Sequence, residues 1–181
     1  LRVENDDAVV LAVPPDICAE LWPDANPPLE TRPIVNVHFR VREPVELRGG
    51  LPFLGLIGTD AQWIFSRGNV LSITISAASE HVDKPNWEIA NHIWSELTKI
   101  LDRNMGRLPP WRVIKERRAT IAQTPAVLAN RPVATTTLNN LFIAGDWTNT
   151  GLPATIEGSI QSGRRAARLA IRRMNKVPDD C

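Results

Sequence analysis

The sequence predicts a mixed α/β chain. Its two ends belong to one α/β part, and its middle forms an α+β part built on an antiparallel sheet. Three observations carry this. The unalternating apolar run Ala8-Val9-Val10-Leu11-Ala12-Val13 has the composition of a strand buried on both faces. A second apolar run, Leu141-Phe142-Ile143-Ala144, passes through a polar turn into a helical pattern. Between them, Val70 to Ala77 alternates, with Leu71, Ile73 and Ile75 on one side and Ser72, Thr74 and Ser76 on the other, as a half-buried antiparallel strand does.

The elements follow in order. Pro14-Pro15 ends the first strand, and Asp16 opens a short helix through Leu21-Trp22. The stretch from Pro23 to Pro33 holds four prolines and reads as a crossing between the two parts. Ile34, Val35, Val37, Phe39 and Val41 form a strand, and Gly49-Gly50 a turn. Gln62 to Ser66 and Val70 to Ala77 pair around Ser66-Arg67-Gly68-Asn69. Trp87, Ala90, Trp94, Leu97 and Leu101 fall on one face of a helix, which places the tryptophans in the core. Asn86 or Asp83 is expected to cap the start of that helix and Gly106 its end. Pro109-Pro110 breaks the chain before a charged strand, Trp111 to Thr120. Thr124 to Pro132 is loop or irregular helix, and the strand–turn–helix comes last. The expected divisions are residues 1–25, 26–135 and 136–175, with a tail at 176–181.

The chain of 181 residues is long enough to bury a core, and 21 basic against 20 acidic residues leave no electrostatic case for nucleic acid. Basic residues gather late, at Arg164, Arg165, Arg168, Arg172, Arg173 and Lys176. This is expected to be a solvated helix face, with peripheral contact to anionic lipid of an inner membrane as the other reading. Cys18 and Cys181 make no disulfide framework, so a reducing, cytoplasmic compartment is expected. Cys18 lies in an apolar helical context and is expected to be inert. No apolar run approaches the ~18 residues of a membrane span. The start at Leu1, with no lead-in to the first strand and no signal-peptide pattern, is expected of a fragment. His38, His81 and His92 have no ligand spacing with Cys or carboxylates, so no metal site is expected. Neither a nucleophile elbow nor a phosphate loop occurs.

The chemistry concentrates in the last segment. Gly145 lets a ligand approach the backbone closely. Asp146 follows at the carboxyl end of the strand, where open α/β sheets bind ligands, and its carboxylate suits the hydroxyls of a sugar-like chain. The helix begins near Thr155-Ile156, and its first N–H groups suit an anion or an electron-rich carbonyl. Gly158 and Gly163 each cost the helix about 1 kcal/mol relative to Ala. On spacing alone two readings stand: room for a flat ligand, or close helix–sheet packing without one.

Gly145-Asp146, Gly151, Ile156-Glu157-Gly158 and Ser162-Gly163 resemble the C-terminal flavin signature of the flavin amine oxidase and phytoene desaturase superfamily. The fuller run AGDWTNTGLPATIEGSIQSGRRAA is most similar to squalene-associated FAD-dependent desaturases, which include the hydroxysqualene dehydroxylases of hopanoid pathways. AVVLAVPP resembles the family strand leaving the FAD domain, and RVIKERRATIAQTP the segment returning to it. The resemblance implies a two-domain FAD-binding oxidoreductase with a Rossmann-like cofactor domain and an antiparallel-sheet substrate domain, acting on an isoprenoid. Residues 1–25 and 136–175 would belong to the FAD domain, and 26–135 to the substrate domain. Gly145 and Asp146 would meet the FAD pyrophosphate through backbone N–H groups, and the Asp146 carboxylate a ribityl or neighbouring hydroxyl. The Ile156 N–H would approach the flavin N1–C2=O edge and stabilise its anionic reduced form. Trp147 and Leu152-Pro153-Ala154-Thr155 would wall the ring, Glu157 would orient the turn, and Gly158 would leave space for the ring. Two features depart from the pattern. The family's G-x-G-x-x-G fingerprint is absent, which implies the C-terminal portion of a longer protein. Thr155 stands where amine oxidases carry an aromatic residue, and the chain has no Tyr, so an aromatic cage for an amine is not expected.

Overall fold

A computed structural model describes residues 3–4, 6–102 and 105–175. The expected tail at 176–181, with Lys176 and Cys181, lies outside the described residues, as does Leu1. The elements run β1 (Val9–Leu11), α1 (Pro15–Leu21), β2 (Thr31–Arg40), β3 (Phe53–Gly55), β4 (Trp63–Arg67), β5 (Val70–Ile75), α2 (Asn86–Ile100), β6 (Trp111–Ile121), α3 (Pro125–Ala129), β7 (Leu141–Ile143) and α4 (Ile156–Met174). They form two compact units. One joins Leu1–Thr31 to Thr120–Cys181, and the other is Arg32–Ala119.

The middle unit is a five-stranded sheet, in the order β3-β4-β5-β2-β6, covered by α2. Antiparallel pairing sets Val35 opposite Ile75, Val37 opposite Ile73 and Phe39 opposite Leu71. Because side chains alternate along a strand, these six share one buried face. Asn36, His38, Ser72 and Thr74 lie on the other, where Thr74 Oγ1 donates to Asn36 Oδ1 at 2.7 Å. Helix α2 presents Ile89, Ala90, Ile93, Trp94 and Leu97 to the sheet, and the Trp94 ring meets Phe39 with centroids 4.9 Å apart.

Three expectations about α2 are corrected. Trp94 is in the core, but Trp87 is 60% exposed, because Ile89 and Ile93 fill the face that the spacing had assigned to it. Pro85 stands at the N-cap with no side-chain bond, while Asp83 instead accepts from Arg117 at 2.8 Å. The helix ends at Ile100, short of Gly106, whose carbonyl accepts the Trp94 indole N–H.

In the unit of the chain ends, β1 and β7 pair in parallel, Val9 with Leu141 and Leu11 with Ile143. Phe142 and Ala144 pack against Ala166 and Ala170 of α4. Ile143 packs with Cys18, Ile121 and Trp147. The expectation that β1 is buried on both faces is corrected. Val10 is 38% exposed, since among the described residues β1 has one strand neighbour and α4 turns mainly small side chains toward the sheet. Burial raises the pKa of the Cys18 thiol, which suits an inert core residue. Among the described residues no helix is long and apolar enough to cross a membrane.

Candidate functional site

The candidate site is the turn between β7 and α4, built entirely within the unit of the chain ends. Its shape comes from a polar network. The Gly145 N–H donates to Ser162 Oγ at 3.0 Å, and Ser162 Oγ lies 2.6 Å from Thr148 Oγ1. Thr148 also closes on the Gly145 carbonyl, through its N–H at 3.1 Å and its hydroxyl at 2.9 Å. Ser162 and Thr148 are both buried. The turn thus folds back on the helix face formed by Gly158, Ser162, Ala166 and Ala170.

Arg131 holds the other side. It is buried, and its guanidinium donates to four main-chain carbonyls of the turn: Asp146 at 2.5 Å, Leu152 at 2.6 Å, Trp147 at 3.3 Å, and Thr148. A planar fork with five donors suits carbonyls fanned around a loop, whereas Lys would present a single point charge. Burial acts to lower the Arg131 pKa, and the nearby Asp146 charge opposes it. Asn149 completes the frame, its N–H donating to the Pro132 carbonyl at 2.8 Å.

The helix start is shaped by Thr155. Its Oγ1 accepts the Gly158 N–H at 3.2 Å, as an N-cap does, and also donates to the Pro153 carbonyl. The N–H groups of Ile156 and Glu157 precede the first intrahelical bond. The Ile156 side chain is 83% exposed beside them. This terminus offers donors and partial positive charge to an electron-rich group. Asp146, half-buried after β7, offers a carboxylate in the same turn.

These contacts bring the expected residues into one turn but change the part some of them play. The Gly145 N–H is already engaged by Ser162 and is not a free donor for a pyrophosphate. A Cβ at Gly145 would lie 2.3 Å from Trp147 Nε1, so the indole of this chain requires the glycine. The Trp147 side chain is 1% exposed, packs with Cys18 and Ile143, and donates to the Val13 carbonyl at 3.0 Å. At Gly158 a Cβ would lie 2.8 Å from the Pro153 carbonyl oxygen, which accounts for that glycine by backbone packing alone. Gly163 faces open space, with nothing within 4 Å of an added Cβ. Glu157 is exposed in the first turn of α4.

Arg131 and Thr148 were not singled out from the sequence, and Ser162 entered only as part of the flavin signature, with no role assigned to its hydroxyl. An Arg in Asn130-Arg131-Pro132 resembles any surface loop residue. The one available signal is that Ser162 lies one turn beyond Gly158 on the same helix face.

The three histidines, for which no metal site is expected, do not all stand apart. His81 and His92 meet at Asp60 in the middle unit, with ligand atoms within 4.8 Å of one another. His38 stays apart, with Nδ1 2.9 Å from Ser72 Oγ.

The family model for flavin containing amine oxidoreductases matches residues 2–171. A hydroxysqualene dehydroxylase of Rhodopseudomonas palustris is 51% identical over 92% of this chain and 39% of its own length. One of Sinorhizobium fredii is 47% identical over 97% of this chain and 41% of its own length. A 15-cis-phytoene desaturase of Glycine max is 23% identical over 94% of this chain and 34% of its own length. Among solved structures, a cyclohexylamine oxidase of Brevibacterium oxydans superposes with a TM-score of 0.61 at 15% identity, covering 91% of this chain and 43% of that one. That likeness shows the fold. The chain spans about two-fifths of the length of the hydroxysqualene dehydroxylases it matches.

Proposed function

Because this chain belongs to the flavin-containing amine oxidoreductase family, we propose that it forms the C-terminal part of an FAD-dependent oxidoreductase acting on an isoprenoid. The observation that carries the reading is the β7–α4 turn. Arg131 orders it from one side and Ser162 from the other, and the N–H groups at the start of α4 remain outside that network. The donor set suits one half of FAD. The Ile156 and Glu157 N–H groups would serve an electron-rich carbonyl edge, and Asp146 would take a hydroxyl of the ribityl chain. Arg131 and Ser162 act as positioning residues, holding the turn in place before ligand arrives. When bound, FAD supplies the two-electron redox chemistry.

The finer proposal is replacement of a hydroxyl by hydrogen in hydroxysqualene to give squalene: the C–O bond breaks, the hydroxyl leaves as water with one proton, and the hydride equivalent that forms the new C–H bond would come from the reduced form of FAD. It rests on the 36–51% identity to hydroxysqualene dehydroxylases. A second reading, a carotenoid-type desaturation, is favoured by the 15-cis-phytoene desaturases that match 94–97% of the chain at 22–24% identity. A third is a fragment that binds no cofactor without a partner.

A chimera decides among them. The portion of the Rhodopseudomonas relative that this chain does not match is joined to this chain. A yellow chimera that forms squalene from hydroxysqualene is expected. Phytoene consumption instead favours the second reading, and a colourless folded chimera the third. In the yellow chimera, Asp146→Ala is expected to lower FAD affinity ten-fold or more, since a hydrogen bond to a charged group is worth about 1.5–3 kcal/mol. Unchanged affinity removes Asp146 from the site.

A further inference from the structure

Three segments of the middle unit converge on one carboxylate. Asp60 lies in the loop before β4, His81 in the turn after β5, and His92 on α2. Asp60 Oδ2 is 3.1 Å from His81 Nε2 and 2.7 Å from His92 Nε2. The two imidazoles lie with centroids 6.1 Å apart and planes 30° from parallel. The position of Asp60 is held from behind. Glu96, one turn beyond His92 on α2, accepts the Asp60 N–H at 3.0 Å and the Ala61 N–H at 2.8 Å, one with each carboxylate oxygen. His81 is held by burial and by its own N–H, which donates to the Ala78 carbonyl at 3.0 Å.

We propose that Asp60, His81 and His92 bind one divalent transition-metal ion of the Zn²⁺ class, tying the loop, the turn and α2 together. Two imidazole nitrogens and one carboxylate oxygen are the donor set such ions take. The three ligand atoms lie within 4.8 Å of one another. In a tetrahedral site with bonds near 2.0–2.1 Å, ligand atoms sit about 3.3 Å apart. The carboxylate–imidazole distances fall below that, by about 0.2 Å for His81 and about 0.6 Å for His92. A small outward shift therefore admits the ion, and half-exposed His92 is free to make it. Each neutral ring offers a lone pair at Nε2 once its proton sits on Nδ1. The exposed side leaves a fourth position for water. Glu96 does not touch the ion; it fixes the loop that carries Asp60, as outer-shell carboxylates do.

A purely structural reading competes: two imidazoles simply share a carboxylate. Metal titration separates the two. The 181-residue chain, without an affinity tag and in a Cys181→Ser background, is titrated with Zn²⁺ by calorimetry and with Co²⁺ by visible absorption. One ion per chain is expected, with a rise in melting temperature on Zn²⁺ addition. His92→Ala, at a half-exposed position that folding tolerates, should weaken binding about a hundred-fold and abolish that rise. His38→Ala should leave both unchanged, and Glu96→Gln should weaken binding by a smaller factor, about ten-fold. Absence of binding in the chain, whose fold is checked by circular dichroism, overturns the proposal. So does equal binding by His92→Ala.

Discussion

The middle unit and the unit of the chain ends are stabilised in different ways. In the middle, Val35, Val37, Phe39, Leu71, Ile73, Ile89, Ile93 and Leu97 form one continuous buried cluster between sheet and helix. At the chain ends, the apolar clusters are small and the shape of the turn comes from Arg131, Thr148 and Ser162. Helix α4 buries only Gly158, Ser162, Ala166 and Ala170, and leaves Ile156, Ile160, Ile171 and Met174 exposed. The contrast separates two tasks. An apolar core tolerates imprecision and supplies stability, whereas a polar network fixes the backbone of one turn and fails when one member is lost.

The largest expected effect tests the apolar side of this contrast. Phe39→Ala removes a fully buried ring against Trp94 and should cost about 3–5 kcal/mol, read as a lowered urea midpoint. A loss below about 1 kcal/mol would break the contrast, because the core would then be collapsing freely.

Next comes the polar side. Arg131→Met keeps the buried stem but removes the donors to four carbonyls, and should cost about 3 kcal/mol. Hydrogen exchange localises the damage. The Thr148 and Asn149 amides should exchange faster while those of β2 and β5 stay protected. Equal loosening of β2 and β5 would show that the network serves the whole chain rather than the turn.

Gly158→Val sharpens the comparison at a single contact. The new Cβ meets the Pro153 carbonyl, so melting temperature should fall without any flavin present, by the equivalent of about 1–3 kcal/mol. An unchanged melting temperature would return the glycine to the cofactor-spacing reading. The smallest effect is a gain: Gly163→Ala, facing open space, should stabilise α4 by about 0.4–1 kcal/mol. A loss instead would mean that something not seen in the described residues approaches that face.

Much of the fold was legible because it is local. The alternation of Leu71, Ile73 and Ile75 marks the buried face of β5, and the run at Leu141 to Ile143 matches β7. The helix start near Thr155-Ile156 was legible, and it is local: the Thr155 hydroxyl reaches an N–H three residues away. The errors came where two local solutions compete. Trp87 fits the helical period as well as Ile89 does, and only contact with the sheet chooses between them. Asp83 is a good cap by composition, but Arg117, 34 residues away, takes its carboxylate.

The sequence by itself determined where the two longer helices and six of the seven strands among the described residues run, though not β3; which faces of β2 and β5 are apolar; and that the polar turn after Ile143 leads into a helix start rich in donors. These depend on side-chain period and on groups a few residues apart. Tertiary structure alone decided that Gly145 must be glycine because Trp147 lies over it, that Arg131 reaches four carbonyls 15 to 21 residues away, and that Asp60 meets His81 and His92. Gly145 and Trp147 are neighbours, but a bond to the Val13 carbonyl, 134 residues away, is what seats the indole over the glycine. Arg131 and its carbonyls, and Asp60 and its histidines, are distant in sequence and have no shared period. Their meeting is set by sheet register and by the packing of α2, which bring together charges and donors that no local pattern relates.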